Sequence, residues 1–224
     1  MHDQSVSRRS FLAGVGSLAV AAAMLPATAQ ASELVAQAVD IADTGMLATQ
    51  AKKKKSVVVC FSCTGTTWGM AKRIKKATGA TLVRVKAKNA YTDDDIDWTD
   101  EDSRVSREHG SASTPAKSKV RPAISNLSAI KKAIKSADIV YIGYPIWWGE
   151  APHIMYTLVE GVSLKGKTVV PFCTSASSGV GSSAKRLKTR AKISKKTIWR
   201  SGKNYHEIPS QRQANKWLTS LKLL

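Results

Sequence analysis

The order of apolar and polar residues from Ser56 onward alternates between two patterns. Continuous apolar runs, which are typical of strands buried on both faces of a sheet, are separated by stretches with helical spacing. We predict strands at 57–61, 81–85, 139–143, 168–173 and 196–200. We predict helices at 66–76, 127–136, 153–160, 182–190 and 211–221. Strands that alternate with helices in this way predict an α/β domain with a parallel sheet and helices on both of its faces.

One segment interrupts this alternation. Residues 88–122 are polar and rich in Asp, Ser and Arg, and they form a longer connection than α/β domains usually contain. We therefore predict a functional or lid-like loop here.

The first 31 residues have the features of a targeting signal rather than of the fold. Ser7–Leu12, with Arg8 and Arg9, resembles the twin-arginine export signature, and Ala29–Ala31 supplies a small-x-small cleavage site. The apolar stretch Phe11–Leu25 is shorter than the roughly 20 residues that span a bilayer. A core helix is the alternative. We expect an exported protein, which would be periplasmic, secreted or part of the cell envelope. The route that this signature marks carries proteins already folded, often with a cofactor in place.

The remaining chain divides into an extension and a domain. Residues 32–55 are rich in alanine and end in four lysines, which indicates a solvated linker or a polyanion-binding patch. The domain begins at Ser56 and continues to Leu224.

The charge narrows the choice of partners. With 35 Lys and Arg against 16 Asp and Glu, the formal net charge is +19, which favours acidic partners. The range 185–203 alone holds nine basic residues. Nucleic acid is one candidate partner for these basic residues. The expected export argues against it and favours anionic envelope polymers or lipid headgroups. The three cysteines include one C-x-x-C pair, Cys60 and Cys63, but the sequence holds no second pair of ligands at zinc spacing, so we predict no metal site.

Candidate chemistry lies where strands end, because ligands of open α/β sheets bind at the carboxyl ends of the strands. Three loops leave such ends, at 62–67, 144–150 and 174–183. The first is a run of hydroxyl side chains around Gly65 at the start of a predicted helix, which favours phosphate binding. It lacks the G-K-[ST] ending of a Walker loop, so ATP hydrolysis has no support. A capped helix start with spare hydroxyls is the alternative.

The first loop resembles the flavodoxin phosphate loop, [ST]-x-T-G-x-T, at Ser62, Thr64, Gly65 and Thr67. The resemblance covers 56–224 and continues through 143–149 and 170–179, while the segment around 91–104 is similar to a distinct subgroup of flavodoxin-like proteins. It implies a doubly wound five-stranded parallel sheet in the order 2-1-3-4-5, with one FMN as cofactor.

The resemblance also implies which residues bind the cofactor. They are Ser62, Cys63, Thr64, Gly65, Thr66 and Thr67 of the first loop, Pro145, Ile146, Trp147, Trp148 and Gly149 of the second, and Thr174, Ser175, Ala176, Ser177, Ser178 and Gly179 of the third. Trp148 matches the family's Trp-Gly element, which places an aromatic ring on one flavin face. Trp147 is then a second wall or a packing residue, with the register open by one position. Two core tryptophans are the alternative.

Two features depart from electron-carrying flavodoxins. The third loop holds only small residues, so we expect one flavin face to be open to a flat substrate. The basic chain should stabilise reduced flavin and raise its potential. We therefore expect an FMN-dependent redox protein with a donor and a quinone-like or protein acceptor, either a small quinone reductase or a non-enzymatic electron carrier. A flavin-free binding module is the alternative. No side chain is predicted to act as a general acid or base.

Overall fold

Parallel strands form the centre of the domain in the computed structural model, which describes residues 54–110 and 117–224. The strands are β1 (Ser56–Cys60), β2 (Thr81–Arg84), β3 (Ile139–Pro145), β4 (Thr168–Thr174), β5 (Ile198–Trp199) and β6 (Lys203–Tyr205). Their order is β2-β1-β3-β4-β5, and every pair is parallel. This confirms the predicted fold and strand order. The predicted signal at 1–31, and the extension at 32–55 except its last two residues, lie outside the described residues.

Helices cover both faces of the sheet. The described ranges contain α1 (Thr66–Thr78), α2 (Arg104–His109), α3 (Leu127–Lys135), α4 (His153–Gly161), α5 (Ser183–Arg190) and α6 (Gln211–Ser220), with a 3-10 helix at Asp94–Ile96. None of the helices in these ranges is long and apolar enough to cross a membrane.

The sheet separates two buried clusters, because successive side chains of a strand point to opposite faces. In β1, Val57 and Val59 pack with α3, α4 and α5, whereas Val58 and Cys60 pack with α1 and α6. This is why the strand has a continuous apolar sequence. The helices need only one apolar face each, as with Ile130 and Ile134 of α3, which are buried.

The edge beside β4 is made of two short strands instead of the one predicted at 196–200. Alternate residues of β4 and of the chain directly after it bond to this edge: Val169 O accepts from Arg200 N at 2.9 Å, and Ser175 N donates to Tyr205 O at 3.2 Å. Pro171 is in the same series and has no N–H to donate. The ladder therefore breaks opposite Pro171, and a second strand resumes pairing at Phe172 and Lys203.

The long segment predicted at 88–122 folds back onto the domain. An antiparallel bridge between Ala87 and Ile124 closes its base. Near its end, Arg121 donates from Nε to Glu160 of α4 at 2.9 Å. The segment is thus attached to the domain near both of its ends, and it contains the 3-10 helix and α2.

Candidate functional site

The first loop leaves an uncapped helix start. Gly65 precedes α1 with φ 94°, a left-handed conformation that glycine adopts without strain, and its N–H donates to Ser62 Oγ at 3.1 Å. The next N–H groups, of Thr66, Thr67 and Trp68, have no acceptor within residues 54–110 and 117–224. Three unpaired donors at the positive end of a helix favour an anionic oxygen.

Thr67 and Cys63 face the protein rather than the loop's open side. Thr67 is buried, and its hydroxyl lies 2.7 Å from that of Thr174, so it joins the first loop to the third. Cys63 packs partly against the core, and burial raises its pKa to about 11, which keeps the thiol protonated at neutral pH. In this loop, therefore, the side chains free to reach a ligand are those of Thr64 and Thr66.

A small cavity of about 240 Å³ lies in front of the α1 start. Its lining residues are Thr64, Thr66, Pro145, Ile146, Thr174, Ser175, Ala176 and His206. They are hydroxyl-bearing or small, apart from two apolar residues and one imidazole. The cavity therefore offers hydrogen bonds rather than fixed charge.

A second cavity of about 290 Å³ adjoins the first and is walled by aromatic rings. It is lined by Trp98, Ile146, Trp147, Trp148, Gly149 and the stretch 175–178, and it shares Ile146, Ser175 and Ala176 with the smaller cavity. The two cavities together form one groove, polar at the α1 end and aromatic at the other.

Trp148 lies at the tip of a tight turn. The N–H and C=O groups of Trp147 and Glu150 bond to each other at 2.9 Å in both directions. Between them, Trp148 has φ 53° and Gly149 has φ 69°, the pair of positive angles found in type I′ turns. A tryptophan rarely adopts a positive φ. Backbone strain of this kind is common at ligand-binding sites.

A buried carboxylate holds this turn. Glu150 is fully buried, and its Oε1 accepts from Ala151 N at 2.9 Å. Its Oε2 pairs with the guanidinium of Arg186 on α5, whose side chain is about half exposed. The carboxylate raises the pKa of Arg186. The aromatic turn is therefore tied to a helix through one ion pair.

Trp147 belongs to an aromatic cluster under the groove. Its ring makes edge contacts with Phe61, Tyr91 and His109 at centroid distances of 5.7, 5.6 and 6.4 Å. Burial lowers the pKa of His109 to about 4, so its imidazole is neutral at physiological pH. Of the two roles predicted for Trp147, these contacts favour packing.

The long segment supplies an aromatic residue that is not among the predicted site residues. Trp98 lines the larger cavity and contacts Trp148 edge-on, with centroids 6.0 Å apart and planes at 88°. It is 64% exposed. The third loop contributes only small residues to the groove, and Trp98 adds an aromatic ring to its lining.

Most of the predicted site residues line the groove. The lining includes Thr64, Thr66, Pro145, Ile146, Trp147, Trp148, Gly149, Thr174, Ser175, Ala176, Ser177 and Ser178. Ser62, Cys63, Gly65, Thr67 and Gly179 are outside it. Sequence reasoning missed Trp98, His206 and Glu150. An exposed tryptophan within a polar segment was the one signal that could have indicated Trp98.

Comparison with known proteins identifies the family. A family model described as flavodoxin matches residues 55–221. The chain belongs to the flavodoxin family. This confirms the family that the sequences of the three loops indicated for this flavodoxin. The comparison with curated proteins gives no match.

Two solved structures that are more than 30% identical agree with that assignment. A protein assigned as a flavoprotein from Bacteroides eggerthii DSM 20697 is 37% identical, with a TM-score of 0.64 over 76% of this chain and 99% of that one. One from Bacteroides uniformis ATCC 8492 is 34% identical, with a TM-score of 0.60 over 75% and 99%. A flavoprotein in complex with FMN from Lactobacillus acidophilus NCFM is 19% identical, with a TM-score of 0.48 over 73% and 98%.

Proposed function

We propose that this flavodoxin binds one FMN in the groove and exchanges electrons through it. The observation that carries the proposal is the junction of the two cavities at the start of α1. One end offers three unpaired N–H groups, and the other is lined by aromatic rings. This arrangement fits a molecule that has a phosphate at one end and a flat ring at the other.

Different residues would bind the phosphate and the ring of FMN. The N–H groups of Thr66, Thr67 and Trp68, with the hydroxyls of Thr64 and Thr66, would hold the phosphate. Trp148 and Trp98 would border the ring, and backbone groups of 175–178 would meet its polar edge. When bound, FMN supplies the electron-accepting and electron-donating chemistry, while the protein supplies binding, access and electrostatics.

The decisive test compares FMN with riboflavin, which lacks the phosphate. Charge-assisted hydrogen bonds contribute about 1.5–3 kcal/mol each, so two of them predict that FMN binds at least about 100-fold more tightly. The measurement is titration of the apoprotein with each flavin, followed by fluorescence. Thr66→Val, which removes one lining hydroxyl and keeps the side-chain shape, should weaken FMN about 10-fold and leave riboflavin unchanged.

Equal affinity for the two flavins would show that the α1 start does not bind phosphate. No affinity for either would favour the flavin-free module, in which the basic surface serves anionic envelope polymers.

We further propose that the electron acceptor is a quinone-like molecule or an acidic redox protein. Trp98 lines the groove and is 64% exposed, which supports access by a flat molecule. The net charge of +19 supports docking of an acidic protein instead. Salt separates these two acceptors, because a neutral quinone gains little from long-range attraction while an acidic protein loses it as the salt concentration rises.

We propose that the protein is exported by the twin-arginine route, on the sequence of residues 7–12. Replacing Arg8 and Arg9 by lysine should leave the protein folded, flavin-loaded and inside the cell. Fractionation followed by a flavin absorbance spectrum of each fraction measures this. Unchanged export of the double variant would indicate a general secretory route.

A further inference from the structure

The smaller cavity has no lysine or arginine in its described lining, although the chain as a whole is strongly basic. The formal net charge is +19, yet neither lysine nor arginine is among the residues that line this cavity in the described part of the chain. His206 is the one lining residue that can become a cation. A phosphate placed here would meet N–H and O–H donors and this single imidazole.

The hydrogen bonds of His206 fix which nitrogen carries its proton. Nδ1 lies 3.0 Å from Ser175 O and 3.2 Å from Ala176 O. Carbonyl oxygens only accept, so Nδ1 must be the donor, and in the neutral ring Nε2 is the nitrogen without a proton. Protonation then adds a second N–H at Nε2 and keeps both carbonyl contacts. The cation therefore forms here without loss of a hydrogen bond.

Few charged groups surround this imidazole. The facing stretches, 62–67 and 174–178, contain neither acidic nor basic residues, apart from the thiol of Cys63. Lys72 is the first charged residue of α1. On the chain beside His206, Glu207 is exposed, and the Lys203 ammonium lies 5.6 Å from the Tyr205 ring centroid. An anion in the cavity would therefore meet His206 without a charged side chain from either facing stretch.

We propose that His206 is a switchable positive charge in the FMN phosphate site, so that FMN binds more tightly to the protein when this imidazole is protonated. The inference rests on the proposed function. Imidazole is the side chain whose ordinary charge change lies between about pH 5 and 8, so FMN binding is compared across that range. A phosphate ester is accepted at both ends of that range, since the helix start holds it in either case.

The test is the dissociation constant of FMN at about pH 5.5 and pH 8 for the wild-type protein and for His206→Gln, which keeps a hydrogen-bond donor but cannot be charged. The phosphate of FMN titrates near pH 6, and this effect is common to both proteins. The ratio of the two dissociation constants therefore isolates His206. We expect the variant to bind about 3- to 10-fold more weakly at the lower pH and equally at the higher one.

Two controls make the result specific. Riboflavin has no phosphate, so its affinity should be the same in both proteins at both pH values. His206→Lys stays charged throughout this range and should bind FMN as tightly at pH 8 as at pH 5.5, after the shared phosphate effect is removed.

The outcomes separate this inference from the proposal on which it depends. FMN binding with the same pH dependence in the wild-type protein and His206→Gln would overturn the role of His206 and leave the FMN site intact. A change in riboflavin affinity equal to that for FMN would also overturn it, because the imidazole would then act on the loop. Absence of FMN binding at both pH values would overturn the proposed function and this inference together.

Discussion

Replacing Arg186 by methionine is expected to lower the free energy of unfolding by about 3 kcal/mol, which is large for a residue on the surface of a helix. The reason lies with its partner. Glu150 is fully buried, so removal of the guanidinium leaves a carboxylate in the interior with no countercharge. The Arg186 side chain is about half exposed, and water can enter after the substitution, so we expect the lower end of the 3–5 kcal/mol range.

Urea unfolding of the purified protein measures this effect. Lys185→Met is the matched control: it removes one positive charge from the same helix at an exposed position that forms no ion pair with the residues that the structure describes. It should change stability by less than about 0.5 kcal/mol. Glu150→Gln should cost less than Arg186→Met, because the arginine left behind is partly solvated. Equal losses for Arg186→Met and Lys185→Met would show that the pair contributes little.

The central part of the fold was predictable because its signals are local. The apolar runs at 57–61 and 139–143 are short and rich in β-branched and aromatic residues, which favours strands buried on both faces, and the helices between them repeat apolar residues on one side. The divided edge strand was less accessible. It depends on whether the backbone of Pro171 is directed toward the edge strands or toward β3. Composition does not show to which neighbouring strand a given residue directs its N–H and C=O groups.

The candidate site was predictable where it follows directly from strand ends. The three loops converge because parallel strands end at one edge of the sheet. Trp98 and His206 escaped prediction because each reaches the groove from a segment remote in sequence, with no spacing that links it to the loops. Thr67 was predicted to bind the cofactor because it matches the phosphate motif. In the structure its hydroxyl instead bonds to that of Thr174 and joins the first loop to the third.

Replacing Trp148 by asparagine is expected to weaken FMN binding and leave the protein at least as stable. The substitution creates Asn-Gly, the pair that type I′ turns prefer, at positions where φ is 53° and 69°. Strain at the tryptophan is therefore relieved, while the ring that would stack on the flavin is lost. Loss of that stacking should cost about 1–2 kcal/mol, or roughly 5- to 30-fold in the dissociation constant.

Flavin titration and urea unfolding on the same variant separate binding from stability. Bound flavin should also become more fluorescent, because the nearby indole no longer quenches it. Trp147→Ala is the contrasting variant, since it removes a ring that contacts Phe61, Tyr91 and His109. It should lower stability by about 3 kcal/mol. If Trp147→Ala alone relieved quenching, the stacking residue would be Trp147 and the register would be off by one.

Trp98→Ala is expected to affect both the binding of FMN and the access of an electron acceptor to the groove. Trp98 is 64% exposed and meets Trp148 only at its edge, so its loss should weaken FMN binding less than the loss of Trp148. If a quinone is the acceptor, reoxidation of the photoreduced protein by quinone should become several-fold faster, because the groove is then more open. The rate should change little between about 0.01 and 0.15 M salt, over which the Debye length falls from about 30 to 8 Å. Slow quinone reoxidation in both proteins, beside fast and salt-sensitive oxidation by an acidic redox protein, would identify an electron carrier with a basic surface.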